Sequence, residues 1–155
     1  WIDVSFRDQS TILERALGRQ TYINEVWRPL GDRAADVEIL ALALQEPLFQ
    51  DTSPQSFVVV GQSSRMHNVA LQDILDLAAE PALPVTEAEI DTRMAGQPQA
   101  RFTLLDRPND YQCRHLFVDD ALTGYLVAAC APQPEFAAMQ RDLGDILNSF
   151  QLVVH

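Results

Sequence analysis

The sequence predicts a single α+β domain, residues 1–155, in which an antiparallel β-sheet is covered by helices. The chain has 155 residues and is 47% hydrophobic, and one domain spans roughly 100–200 residues. Short segments with a strand-like alternation of apolar and polar residues follow one another in the second half. An amphipathic helical pattern closes the chain. Strands that are neighbours in sequence, followed by a helix, are typical of this class.

The first third gives the weakest pattern. Residues 1–6 alternate like a strand. Ser10 is a candidate N-cap for a short helix that ends at Leu17, because Gly18 follows it. Residues 22–27 have a strand-like composition and end at turn residues.

Residues 37–44 suit either a buried helix or a buried strand. We favour a strand, because residues 56–60 form a β-branched run between Pro54 and Gly61, as strands do. A hairpin through residues 47–54 would pair the two segments.

The next segment, residues 69–80, has the period of an amphipathic helix. Asn68 is a suitable N-cap for it. Pro81 and Pro84 end it, since proline interrupts a helix.

Four strands are then expected as a meander. Residues 90–94 and 100–104 alternate on either side of a turn at Gly96, which predicts a hairpin. Residues 111–118 and 125–131 form the next pair, joined by a loop of turn residues.

A helix is predicted over residues 135–150. Its apolar residues fall on one stripe and its charged residues on the opposite side. The stripe contains Phe136, Met139, Leu143, Ile146, Leu147 and Phe150, and the residues expected to face water are Arg141, Asp142, Asp145 and Asn148.

Several segments of the second half together resemble a known superfamily. These are Met94 to Phe102 around a Gly-x-Pro turn, Arg114 to Val118, Tyr125 to Ala129, and a last helix ending in Ser149-Phe150; Trp1 resembles the tryptophan that opens the first strand. The pattern is similar to that of the PsbP/DcrB-like superfamily. The resemblance covers residues 55–150 and implies an α/β/α sandwich. It also implies a mostly non-enzymatic function, as in photosystem accessory proteins, bacterial envelope lipoproteins and chaperones of type VI secretion effectors.

The two cysteines fall on one predicted hairpin. If Val118 pairs with Tyr125, Cys113 lies directly opposite Cys130, because Cys113 precedes Val118 by as many positions as Cys130 follows Tyr125, and the strands run antiparallel. Cross-strand partners have Cβ atoms roughly 4.5–5.5 Å apart, so a disulfide is feasible after a small adjustment. The alternative is two buried thiols, and a shift of register by one residue would separate them.

Metal and catalytic sites have little support. Cys113, His115 and Cys130 would make only a partial zinc site, since structural zinc takes four ligands. Ser63 and Ser64 near His67 lack the motif that presents a nucleophile, and the aspartates at 106, 110, 119 and 120 suit turns. The sequence contains no glycine-rich phosphate loop, and we expect no cofactor.

The charge has two interpretations: the acidity mainly maintains solubility, which we favour, or it forms an acidic face that meets a basic partner. With 22 acidic and 11 basic residues the net charge is −11, which argues against nucleic acid and against an anionic membrane surface. No apolar stretch approaches the roughly 20 residues that span a bilayer. We therefore expect a protein partner.

Four apolar residues are candidate partner contacts: Trp27, Leu48, Phe49 and Leu122. For each of them packing in the core or over a sheet edge is the favoured alternative. The predicted function is a non-catalytic accessory protein that docks a protein partner, exported to an envelope or lumenal compartment. The alternatives are a cytoplasmic chaperone that shields apolar effector helices and, in another class, a small hydrolase or ligand-binding enzyme. A Cys113–Cys130 disulfide would favour export, because disulfides persist in oxidising compartments.

Overall fold

The computed structural model describes residues 1–3, 31–32, 36–45, 56–78, 85–94, 97–106, 111–120 and 122–151. Within them, seven strands form one sheet: β1 Ile2–Asp3, β2 Glu38–Leu44, β3 Phe57–Ser63, β4 Val85–Met94, β5 Gln97–Asp106, β6 Tyr111–Asp119 and β7 Gly124–Pro132. The helical elements are a 3₁₀ turn, Ser64–Met66, and two α-helices, α1 Leu71–Ala78 and α2 Gln133–Ser149. All neighbouring strands pair antiparallel. The predicted α+β class is confirmed.

The strand order is β1-β2-β3-β7-β6-β5-β4. The β2–β3 pairing and the meander from β4 to β7 agree with the prediction. The sequence analysis did not predict that β3 pairs with β7, for example Val58 with Ala129. This pairing joins the two halves of the sheet and makes β3 and β7 its central strands. Their nearly continuous apolar sequences fit a position buried on both faces.

Helix α2 covers one face of the sheet. Phe136, Leu143 and Leu147 are buried in one cluster with residues of three strands, and Met139, Ile146 and Phe150 pack against its margin. The strand residues are Val58, Leu116, Val118, Val127, Ala129 and Ala131. The predicted apolar stripe is therefore confirmed, and the four polar residues expected on the opposite side are exposed.

The register places a second set of buried residues on the other face, because residues opposite each other in a ladder share a face. This set contains Leu42, Leu44, Phe57, Val59, Phe117, Leu126, Ala128 and the two cysteines. The 3₁₀ turn packs on this face, since a Cβ built on Gly124 would lie 2.5 Å from the Cβ of Met66.

The prediction for Asn68 is wrong. Helix α1 begins at Leu71 rather than at Val69, and Asn68 has a left-handed backbone with φ 54°. The backbone N–H of Asn68 donates to the carboxylate of Asp119. Asn68 therefore contacts β6 rather than capping the helix. The first helical hydrogen bond runs from Ile74 N to Ala70 O.

Several predicted elements lie outside the described residues, namely the helix at residues 10–17 and the strand at 22–27. Of the strand predicted at residues 1–6, Ile2 and Asp3 are described, paired with Leu44 and Ala43. Neither described α-helix combines the length and the apolar character that crossing a bilayer requires.

Candidate functional site

The β6–β7 hairpin carries a disulfide near one of its ends. Val118 pairs with Tyr125 as predicted, and Cys113 therefore pairs with Cys130. Their Cα atoms lie 4.1 Å apart and their Sγ atoms 2.05 Å apart, bonded across the two strands. Zinc is bound by thiolates, so these sulfurs are not ligands, and His115 lies buried within β6. No group of three or more metal-binding side chains occurs in the described parts of the chain.

At its other end the hairpin closes through a short loop. The N–H of Asp120 donates to the carbonyl of Thr123 at 2.9 Å. Leu122 lies between them, and its side chain is 79% exposed. This exposure contradicts the interpretation that Leu122 packs in the core or over a sheet edge.

Asp119, at the end of β6, contacts the segment that follows the 3₁₀ turn. One carboxylate oxygen of Asp119 lies 3.4 Å from His67 Nδ1, and the other accepts the backbone N–H of Asn68 at 3.1 Å. His67 Nδ1 is also 3.0 Å from the carbonyl oxygen of Asp120. Sequence reasoning assigned Asp119 and Asp120 to their own turn and missed this contact, since nothing in the sequence places His67 beside them.

The contacts of His67 assign its tautomer. Both groups near Nδ1 are acceptors, so Nδ1 carries the proton. Nε2 lies 2.7 Å from the side-chain amide nitrogen of Asn68, from which it accepts a hydrogen bond. Both ring nitrogens are therefore used inside the protein.

A second polar group fixes the start of β2 to the 3₁₀ turn. Ser63 Oγ donates to one oxygen of Asp36 at 2.6 Å, and Arg65 lies 3.5 Å from the other. Arg65 also donates to the carbonyl oxygen of Asp32 at 3.3 Å. Of the two residues considered from the sequence as nucleophile and base, Ser63 thus donates to Asp36, whereas His67 contacts Asp119 and Asp120.

We call the surface formed by His67, Asn68 and the loop residues Asp119, Asp120, Leu122 and Thr123 the hairpin tip. It presents one strongly exposed leucine on a loop that is held from two sides. The other candidate contacts, Trp27, Leu48 and Phe49, lie outside the described residues. Two further large apolar residues are partly exposed, Trp1 at 42% and Leu40 at 41%.

Leu40 was not singled out from the sequence. It lies at a β-bulge, where the register of β2 against β3 shifts between Ile39 and Ala41. A bulge inserts one residue that has no partner opposite it. An uninterrupted apolar run gives no sign of such an insertion.

No family model matches the chain, and no curated protein matches it. Among solved structures, the fold is similar to that of PA94 from Pseudomonas aeruginosa, a protein of unknown function described as a candidate regulator. The TM-score is 0.57 at 9% sequence identity, and the match covers 77% of this chain and 85% of that one. At this identity the similarity concerns the fold alone.

Proposed function

We propose that this chain is a non-catalytic accessory protein that docks a protein partner through the hairpin tip. The observation that carries the proposal is Leu122, which is 79% exposed at the closed end of the β6–β7 hairpin. A single exposed leucine is ordinary on a protein surface. What distinguishes this one is the support beneath it.

The hairpin is held at two places. Cys113 and Cys130 join the strands near one end, and Asp119 binds His67 and Asn68 at the other. A side chain on a loop that is already ordered loses little conformational entropy when it is buried by a partner. Apolar anchors on rigid supports are the residues that dominate binding energy in protein interfaces.

The contacts of His67 favour binding over hydrolysis. A histidine that acts as a general base must offer one nitrogen to the proton it removes. Here Nδ1 faces two acceptors and Nε2 accepts from Asn68. This supports a structural role for the histidine that lies beside a carboxylate.

The disulfide supports export as the proposed location. Its two sulfurs are in residues that are 4% and 0% exposed, and structural disulfides persist in the periplasm, in the cell envelope and in oxidising lumenal compartments. The fold class agrees with the suggested resemblance to PsbP/DcrB-like accessory proteins. A cytoplasmic chaperone is the alternative. Reduced thiols at Cys113 and Cys130 in the purified protein would favour it.

Photo-crosslinking tests the docking surface. Benzoylphenylalanine is placed at position 122 and, as a control, at the exposed position 138 on α2, and the cells that make the protein are irradiated. We expect a discrete crosslinked adduct when the photo-crosslinker is at position 122. With the photo-crosslinker at position 138, this adduct should be weak or missing. The crosslinked protein is identified by mass spectrometry and purified for binding measurements.

Substitutions then separate a specific anchor from general surface charge. We expect Leu122→Asp to weaken binding of the purified partner at least roughly tenfold, the effect of losing one apolar anchor. Ala138→Asp adds the same charge at a different exposed position and should leave the affinity unchanged. Equal affinities for the two variants would contradict the proposal.

A further inference from the structure

One long edge of the sheet has a single neighbour in the described structure. β4 is the last strand in the order, has ten residues, and pairs with β5 along Val85–Leu104 to Met94–Gln97. No described residue pairs with its outer side. In an antiparallel ladder, alternate residues direct their N–H and C=O groups to each side of the strand. Between Glu87 and Asp91, where the ladder with β5 is regular, the outward N–H and C=O groups thus have no strand partner among the described residues, and such groups form a template for an added strand.

The sequence of β4 places charges in a regular pattern along this edge. Glu87, Glu89 and Asp91 occupy alternate positions, with Thr103, Arg101 and Gln99 as their register partners on β5. Alternate residues of a strand belong to the same face of the sheet. Glu87, Glu89 and Asp91 thus stand at three successive alternate positions of the edge strand.

We propose that the outer edge of β4 binds an extended segment of a protein partner by strand addition, and that this segment carries lysine or arginine at alternate positions. Backbone hydrogen bonds supply affinity in this binding mode, and the alternating side chains supply specificity. A basic residue opposite each of the three acidic positions gives favourable cross-strand pairs. The net charge of −11 favours approach of such a segment over an acidic one.

The same pattern disfavours a second copy of this chain as the occupant. Antiparallel pairing of two β4 strands about Glu89 would place Glu89 opposite Glu89, and Glu87 opposite Asp91. Like charges directly opposite each other destabilise a sheet. The acidic positions therefore act against self-association while they select a basic partner strand.

This edge is a separate surface from the hairpin tip. Two strand spacings separate β4 from β6, roughly 10 Å. The inference goes beyond the proposed function, since binding at the edge requires neither Leu122 nor the loop that carries it. A failure of one proposal leaves the other intact.

Synthetic peptides test the edge. The first probe is a short peptide with neutral ends in which lysine alternates with valine and threonine. The second replaces each lysine by glutamate, and the third keeps lysine but carries N-methyl groups on alternate backbone nitrogens. We expect the lysine peptide to bind and to slow amide hydrogen exchange in residues 85–94 about tenfold or more. The other two should bind at least roughly tenfold more weakly, because one lacks the charge and the other the hydrogen bonds.

Two matched variants separate the edge from general attraction to an acidic protein. The triple variant Glu87→Gln, Glu89→Gln and Asp91→Asn should weaken binding of the lysine peptide roughly tenfold, because it removes three charge pairs with the peptide. The control triple variant neutralises three exposed helical aspartates, Asp73→Asn, Asp142→Asn and Asp145→Asn. It should change the affinity for the lysine peptide less than twofold, because salt screens charges that lie far from the binding site.

Several outcomes would overturn the inference. If both triple variants weaken binding equally, the attraction is a property of the net charge. If the N-methylated peptide binds as well as its parent, no strand is added. If the lysine peptide does not bind, the acidic positions only protect the edge from pairing. The peptide comparisons use the unchanged chain, so the test stands even if the edge variant does not fold.

Discussion

Gly124 and Met66 are packed so closely that a Cβ on the glycine would lie 2.5 Å from the Cβ of Met66 and 2.7 Å from its carbonyl oxygen. Gly124 begins β7, and Met66 ends the 3₁₀ turn after β3. Met66 is fully buried. The fit brings the turn onto the sheet at the place where the next two residues, His67 and Asn68, contact Asp119.

Gly124→Ala should therefore destabilise the protein. The new methyl group meets the backbone of Met66, which yields only if the whole turn moves, and overpacking of this kind costs roughly 1–3 kcal/mol in the free energy of unfolding. Urea unfolding measures the loss. Amide chemical shifts of residues 64–68 should change more than those of α2.

Gly144→Ala is the matched control and should be neutral or stabilising. A Cβ there lies 2.9 Å from Nη1 of Arg114, at the end of a flexible side chain that can move aside. Alanine gains about 1 kcal/mol over glycine inside a helix. A fall in stability equal to that of Gly124→Ala would show that the Arg114 contact with the carbonyl oxygen of Gln140, at 3.5 Å, matters more than we infer.

Removal of the disulfide should lower stability without changing the fold. The bond closes a loop with a sequence separation of 17, for which the chain-entropy relation gives about 3 kcal/mol. We expect the double variant Cys113→Ala, Cys130→Ala to lose about this much free energy of unfolding and therefore to unfold at a lower urea concentration. Reductant should shift the unfolding midpoint of the unchanged protein and leave that of the double variant where it is. An unchanged midpoint for the double variant would contradict the prediction.

The contact between Asp119 and His67 should appear as an energetic coupling. Asp119→Asn and His67→Ala should each reduce the free energy of unfolding by about 1 kcal/mol, the usual net value of a hydrogen bond. The double variant should lose less than the sum, because both changes remove the same interaction. Strictly additive losses would mean that the two side chains act independently.

Tyr111 should make stability fall at alkaline pH. Burial, together with the carboxylate of Glu135, raises the pKa of Tyr111 above its ordinary value. Above about pH 10 the unfolded chain then releases this proton while the folded protein keeps it. The contribution is fully present below pH 10 and is lost as the pH rises, by up to about 1.4 kcal/mol per pH unit.

Tyr111→Phe tests this prediction directly. All basic residues of the chain are arginines, which keep their charge in this range, so no lysine titration obscures the effect. The variant should show a shallower loss of stability between pH 10 and 11 in urea unfolding. Identical slopes for the two proteins would exclude Tyr111 as the source.

The sequence was sufficient where one local pattern decides a structure. The loop between Val118 and Tyr125 has turn residues and flanking apolar strands, so its register could be predicted, and with it the pairing of the cysteines. The apolar stripe of α2 was equally clear. These features depend on residues that are close in the sequence.

Features that depend on distant contacts could not be predicted. Asn68 is a residue type that often caps helices. Its N–H instead donates to Asp119 of β6, and its backbone is left-handed. Leu122 is exposed, although an apolar residue type by itself suggests burial. The amino-acid pattern of β3 and that of β7 do not indicate that these two strands pair with each other.

The position of β7 has a consequence for how the chain folds. Ser63 ends β3 and its partner Gly124 begins β7, so β4, β5 and β6 are synthesised between two strands that pair with each other. Until β7 emerges from the ribosome, β3 has only β2 beside it, and a valine-rich edge stays open. Contacts so distant in sequence form slowly. We therefore expect the early chain to need protection from aggregation during translation.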